Sequence, residues 1–220
     1  MKAVVVADGA PVEADAAELS DAGLVVAADA GATWLRRVGR RPDVLVGDLD
    51  SIDPALVDEL AAAGTGIERH PVDKDASDTE LAVERAVASN ADEIVVLGAL
   101  GGPRLDHELA NLLLLADPAW HGHGVVVRIV RGTTAVRALH GPGELGLAGR
   151  VGDTVTLIPI GGDVEEVRTT GLRFALDGEA LRIGRSRGLS NVVSRVPASV
   201  EIGRGTLLVV ETQAEEKEQR

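Results

Sequence analysis

Apolar and polar positions fall into two regimes along the chain. Over the first 130 residues, short unbroken aliphatic runs alternate with segments of helical composition. The runs are KAVVVAD (2–8), GLVVAAD (23–29), PDVLVGD (42–48) and DEIVVLGA (92–99), each leaving through an aspartate or a glycine. Continuous apolar character, rather than strict alternation, predicts strands buried on both faces of a helix-covered parallel sheet. AAELSDAG, GATWLRRVG, ALVDELAAAG, TELAVERAVAS and DHELANLLLLAD (106–117) read as the covering helices, the last ended by Pro118. Ligands in such sheets gather beyond the C-terminal strand ends. Asp8, Asp29, Asp48 and Gly98 fall there.

After about residue 130 the pattern changes. GPGELGLAGRVGD (141–153) is glycine-rich and turn-like. TVTLIPI, VEEVRTTGLRFAL, EALRIG, NVVSRVPASVEI and GTLLVVET then read as short strands separated by Gly, Asp or Pro, which predicts an antiparallel sandwich or barrel. The expected class is α/β: an N-terminal parallel-sheet, Rossmann-like domain over residues 1–140, then a C-terminal antiparallel β-sandwich domain over residues 141–213. A charged tail, residues 214–220, is expected to be frayed and solvated.

Composition narrows the chemistry. The 220 residues include no cysteine, which excludes disulfides, thiolate catalysis and Cys-ligated zinc, and suits a reducing cytoplasm. The opening MKAVVVADGAP is too short an apolar run for a signal peptide, and no stretch approaches the roughly 18–20 apolar residues of a membrane span. The formal charge of −13, from 35 acidic and 22 basic residues, argues against a nucleic-acid footprint. It is compatible with cationic small molecules, with anions brought in by a divalent metal, or with solubility alone. Trp34, Trp120 and Phe174 are the only large aromatics, so aliphatic residues must build the core.

Carboxylates cluster where the third strand gives way to VGDLDSIDP. Alternation puts Asp48 and Asp50 on one side of an extended chain, where like charges repel unless something offsets them. Mg²⁺ prefers oxygen ligands at about 2.1 Å and combines one or two carboxylates with phosphates. Metal binding and simple loop solvation both fit. Asp53 before Pro54 reads as a helix N-cap. In HPVDKDASDTE (70–80), Ser77 and Glu80 suit a capping box, which puts Asp78 in the first turn of a helix. Lys74 suits a phosphate, Asp78 a cation; an acidic solvent-facing loop is the plainer alternative. GALGGPRLDHELAN (98–111) presents Arg104, Asp106 and His107 behind glycines, without a nucleotide-loop signature. A tight turn with Arg104 paired to Asp106 fits equally. His121 and His123 read as an exposed loop rather than a metal pair. Trp34 reads as helix-to-sheet packing. Phe174 suits either an organic cation or core packing.

Taken in order, AADAGATWL, PDVLVGDLDSID, PVDKDASDTELAVERA, LGALGGPRLDHELANLLLL, GDTVTLIPI, TTGLRFAL and GLSN resemble the thiamine pyrophosphokinase (thiamine diphosphokinase) family over nearly the whole chain. The resemblance implies transfer of the terminal pyrophosphoryl group of ATP to the hydroxyl of thiamine, releasing AMP. ATP is the co-substrate and Mg²⁺ the cofactor. The enzyme is expected to be a homodimer with sites at the subunit interface, free of nucleic acid and membrane. The first domain would bind ATP and magnesium; the second would bind thiamine and dimerise. By resemblance, Asp48 and Asp50 match the G-D-[FL]-D-S aspartates that carry magnesium, and Asp78 joins them. Lys74 stands near phosphate, while Arg104, Asp106 and His107 match the R-x-D-H loop near the substrates. Asp29 and Gly31 stand in the nucleotide segment. Phe174 would stack on thiamine, with Ser190 and Asn191 near its pyrimidine.

Three positions depart from the family pattern: Ala30 for a glycine, Pro103 inserted before Arg104, and Phe174 for tryptophan. Two other functions use much of the same framework. One is pyrophosphoryl transfer to a pterin-type alcohol; the other is a non-catalytic thiamine or nucleotide sensor, which would bind ligand without forming AMP.

Overall fold

The computed structural model describes residues 1–214; residues 215–220 of the expected tail, and the side chain of His121, lie outside the described residues. The chain divides into two units, Met1–Gly132 and Thr133–Arg220. Composition suggests a division near residue 140. The structure sets it earlier because Thr134–His140 forms a strand hydrogen-bonded along its whole length to Arg204–Thr212, and so belongs with the second unit.

The first unit carries six parallel strands: β1 (Lys2–Val6), β2 (Leu24–Ala28), β3 (Val44–Gly47), β4 (Gly66–Arg69), β5 (Glu93–Leu97) and β6 (Val126–Arg131). Their spatial order is β4-β3-β2-β1-β5-β6, and every neighbouring pair is parallel. Ala3, Val4, Val5 and Val6 are fully buried, as are Val25, Val26 and Ala27, so the unbroken runs occupy the interior positions that parallel strands require. β4, sequence GIER, shows no apolar run because it pairs only with β3 and lies at the edge. The chain winds outward from β1 to β4, then returns to pair β5 on the other side of β1. That reversal opens a crevice between β1 and β5 at their C-terminal ends.

The connecting helices are α1 (Gly31–Arg37), α2 (Pro54–Ala62), α3 (Asp78–Val87), α4 (Leu105–Leu114) and α5 (Pro118–Gly122). The segment AAELSDAG contributes to a 3-10 helix, Glu13–Leu19, rather than an α-helix. Asp53 caps α2 by accepting from Ala55 N–H at 2.9 Å, with Pro54 at the first helical position. Ser77 caps α3 by accepting from Glu80 N–H at 3.1 Å. Trp34 is 6% exposed on α1, in keeping with its packing role.

The second unit is antiparallel. Its strands are β7 (Thr134–His140), β8 (Gly143–Leu147), β9 (Thr154–Thr170), β10 (Asp177–Leu181), β11 (Asn191–Val192), β12 (Ala198–Ile202) and β13 (Arg204–Thr212). GPGELGL, turn-like by composition, contains β8, which pairs with β12 and sends Leu145 and Leu147 against the core. TVTLIPI and VEEVRTT form one 17-residue strand, β9. Its first half pairs with β13 and β11, its second with β10 and β12. The core is aliphatic, with Val155, Leu157, Leu181, Val193, Val200 and Leu207 almost wholly buried. Among the described residues no helix is long and apolar enough to cross a membrane.

Candidate active site

In the first unit, a cleft of about 440 Å³ opens beyond the strand ends. Its walls come from Asp8 and Gly9 after β1, Asp29 after β2, Asp50 and Ser51 after β3, and Ser77–Thr79 at the start of α3. The loop after β5 and helix α4 complete it through Gly98, Gly102, Pro103, Arg104, His107, Glu108 and Asn111.

At one side of this cleft the chain gathers three carboxylates. Asp29, Asp48 and Asp78 each bring an oxygen within 4.8 Å of the others. The backbone makes this approach possible. Gly47 ends β3 at φ 150°, and a Cβ there would lie 3.2 Å from Asp78 Oδ1 and 3.4 Å from Asp29 Oδ1. Asp29 and Leu49 take left-handed backbone angles, φ 47° and 65°. Aspartate tolerates that region, but for a bulky leucine it is strained. The turn at Leu49 also ends the extended run from which Asp48 and Asp50 would share one side. Asp50 is exposed on the cleft wall beside Asp48, and the buried Asp29 joins Asp48 and Asp78.

The electrostatics follow from that packing. Burial, reinforced by Asp78, Asp48 and Asp50, pushes the Asp29 carboxyl above its ordinary pKa, although a hydrogen bond from Ser51 acts in the opposite direction. Asp29 Oδ2 accepts that Ser51 bond; its Oδ1 is buried with no hydrogen-bond partner among the described residues. Asp48 is held below the usual range, first by the Asp50 backbone N–H at 3.1 Å and then by Lys74, although burial acts the other way. Asp50 is pushed up by the Asp48 charge beside it. Lys74 Nζ lies 2.9 Å from Asp78 Oδ1 and 3.3 Å from Asp48 Oδ2.

Helix α4 supplies the opposite wall. Arg104, His107, Glu108 and Asn111 recur at helical spacing on its cleft side. Arg104 pairs with Asp106 through two contacts of 2.9 and 2.5 Å, which hold the Asp106 carboxyl down to about 2. Asp106 is exposed and does not line the cleft; Arg104 and His107 do. Asn111 is buried and donates to Ala99 O at 2.9 Å, fixing the loop after β5. Asp8 faces the same space, its carboxyl raised by burial and opposed by the His107 charge. Linear reading passed over Ser51 and Asn111, although the stripe at 104, 107, 108 and 111 carries Asn111's signal. Gly31 is buried and is not part of the cleft. A Cβ there would meet Val6 O at 2.1 Å, so packing of α1 on β1 accounts for this glycine.

In the second unit, Phe174 is 52% exposed, so it is not a core residue. The Arg173 guanidinium lies 5.4 Å from its ring centroid. Asn191 is buried and brackets the Phe174 backbone, accepting from its N–H at 2.9 Å and donating to its carbonyl at 2.8 Å. Ser190 is exposed at φ 56°, and its N–H donates to Thr156 Oγ1 at 3.0 Å.

Comparison with known proteins matches residues 16–127 to the family described as thiamin pyrophosphokinase, catalytic domain. Residues 144–207 match thiamin pyrophosphokinase, vitamin B1 binding domain. Thiamine pyrophosphokinase 3 of rice (Oryza sativa subsp. japonica) is 30% identical over 186 residues, covering 74% of this chain and 62% of the rice protein. The chain therefore spans less than two thirds of that relative's length. Thiamine pyrophosphokinase of Bacillus subtilis is 24% identical over 188 residues, covering 85% of this chain and 86% of that protein. The crystal structure of thiamine pyrophosphokinase from Bacillus subtilis shares the fold with a TM-score of 0.86 at 23% identity, covering 97% of this chain and 99% of the other. The structure from Candida albicans aligns with a TM-score of 0.81 at 16% identity, covering 96% of this chain and 90% of the other. With both domain profiles matched in order, and a relative at 30% identity over most of its length, the chain belongs to the thiamin pyrophosphokinase family.

Proposed function

We propose that this chain is an ATP-dependent transferase that moves the terminal pyrophosphoryl group of ATP to the hydroxyl of thiamine, giving thiamine diphosphate and AMP. The observation that carries this reading is the Asp29, Asp48 and Asp78 carboxylate group beside a cleft at the strand ends, in a chain of this family. Three hard oxygen donors within 4.8 Å, with Asp29 Oδ1 and Asp78 Oδ1 both buried and without a hydrogen bond among the described residues, fit Mg²⁺. Asp29, Asp48 and Asp78 would hold that ion, and Asp50 flanks them. Bound there, Mg²⁺ would offset the charge of the polyphosphate.

The chain's own groups supply the positioning that phosphoryl transfer requires. Arg104 lines the cleft and meets phosphate by exchanging its local Asp106 partner for a more highly charged one. Lys74 lies beside the same carboxylates in the metal-free protein, and its flexible stem lets the ammonium turn to phosphate once a metal is bound. His107, facing Asp8 across the cleft, orients the attacking hydroxyl; Asp106 acts on it only through Arg104. In the second unit Phe174 offers an exposed ring to the thiamine cation, bracketed by Asn191 and flanked by Ser190.

The finer architecture is part of the same reading. The strand order of the first unit supports a Rossmann-like arrangement, and β9, shared between two sets of partners, supports a sandwich corner. We assign the working form as a cytoplasmic homodimer in which one chain's carboxylates and its partner's aromatic serve one site. The test is incubation with ATP, Mg²⁺ and thiamine, with a pterin alcohol in a parallel reaction, and identification of both products. AMP and thiamine diphosphate in equal amounts are expected. ATP bound without AMP formation, or AMP formed only with the pterin, overturns the assignment.

A further inference from the structure

We infer that Lys74 holds the place of the divalent cation in the metal-free protein, and that its ammonium is displaced from Asp48 and Asp78 when the metal binds. The inference rests on the reading above that the carboxylate group takes a metal. Asp29, Asp48 and Asp78 come from three separate strand exits, and three like charges that close repel strongly where burial is partial. Among the described residues one cation lies against them. Lys74 Nζ bridges Asp78 Oδ1 at 2.9 Å and Asp48 Oδ2 at 3.3 Å, with its side chain only 14% exposed.

Two features separate this arrangement from an ordinary structural ion pair. Lys74 does not neutralise the third member, since Asp29 Oδ1 stays buried and unpaired among the described residues. The group is therefore left short of positive charge while the ammonium is in place. The choice of cation also fits displacement. The sequence uses arginine for nearly all its basic positions and has lysine at only 2, 74 and 217. A guanidinium would grip these carboxylates as a fork, whereas an ammonium is a compact point charge on a flexible stem and can be withdrawn. Lys74 also lies in the loop between β4 and α3, where no ladder or helix fixes its backbone. Two positive charges cannot both sit within contact distance of Asp48 and Asp78 without repelling, so an arriving metal must move it.

The test uses the full chain, Mg²⁺ alone and no nucleotide, with melting temperature as the readout. Wild type, Lys74→Met and Lys74→Arg are melted in EDTA and across a Mg²⁺ series. Lys74→Met should melt below wild type in EDTA, and the gap should close at saturating Mg²⁺. Its half-maximal response should need several-fold less Mg²⁺, because no ammonium has to be moved. Lys74→Arg should keep its metal-free stability and need several-fold more Mg²⁺. If Lys74→Met does not fold without metal, the Lys74→Arg arm decides alone. An unchanged Mg²⁺ midpoint in the variants, or a wild type whose melting ignores Mg²⁺, overturns the inference. AMP formation is assayed separately. Its absence alongside the expected melting pattern would overturn the proposed reaction and leave the role of Lys74 supported.

Discussion

Asp29 occupies a left-handed backbone position at φ 47°, with one carboxylate oxygen held by Ser51 and the other buried and unpaired among the described residues. Such a group destabilises the metal-free fold through desolvation and through repulsion from Asp78 and Asp48, the direction in which its pKa is pushed. Asp29→Asn should therefore raise the melting temperature in EDTA while abolishing the response to Mg²⁺. Asp48→Asn should also weaken Mg²⁺ binding, beyond the roughly 10–100-fold to be expected from losing an outer partner. Asp50→Asn, outside the three-carboxylate group, should stay near that smaller loss. Calorimetric titration of Mg²⁺ into each variant checks this. Equal losses for Asp29→Asn and Asp50→Asn would mean that the exposed residue ligates as well. The approach of Asp29 to Asp48 and Asp78 could not be read from spacing, because it depends on which strand ends lie side by side, and no sequence rule assigns the positive φ of the intervening turn to Leu49.

Elements are tied together by charge as well as by apolar contact. Glu18, in the 3-10 helix, accepts two bonds from Arg128 on β6 at 2.8 and 3.0 Å and one from Lys2 on β1 at 2.7 Å. Burial alone would raise its pKa, but the two cations outweigh burial and hold it below the usual value of 4.5. A carboxylate with a depressed folded-state pKa contributes stability that is fully present above its unfolded value. That contribution is lost as pH falls through the folded value. Glu18→Gln should thus cost roughly 2 kcal/mol at neutral pH, as expected for charged hydrogen bonds. The gap from wild type should narrow below about pH 4, where wild type loses the same charge. Denaturant melts at several pH values check it; a pH-independent gap would assign the effect to packing. At the same scale, α4 reverses the usual sense of amphipathicity. Its polar stripe faces the cleft, while Leu105, Leu109 and Leu113 are 69%, 51% and 56% exposed. Periodicity marks the two faces but not which one turns inward.

For the whole molecule, the proposed division of labour makes a genetic prediction. If one chain's carboxylates act with its partner's Phe174, chains carrying Asp48→Asn and chains carrying Phe174→Ala should complement each other. Each homodimer is impaired, the second by up to about 2 kcal/mol in thiamine use, the range of a desolvated cation–π contact. A heterodimer would contain one site with both lesions and one with neither. Turnover after subunit exchange should therefore exceed the sum of the separate variants. Verified heterodimers without that recovery would place both halves of each site within one chain.

The unbroken valine-rich runs of β1, β2, β3 and β5 were legible in the linear chain, because burial on both faces leaves no polar position to interrupt them. The caps of α2 and α3 were legible too, since Asp53 and Ser77 act within three residues of themselves. So was the gathering of acidic and glycine-rich loops at the strand exits, where the cleft lies. Tertiary structure alone decided the rest. It brought Asp29 to Asp48 and Asp78, joined two runs into β9, drew β8 out of a glycine-rich stretch, and set Lys74 against Asp48 across 26 residues of chain. Each of these depends on which strand lies beside which, and pairing between distant segments leaves little local trace in either of them.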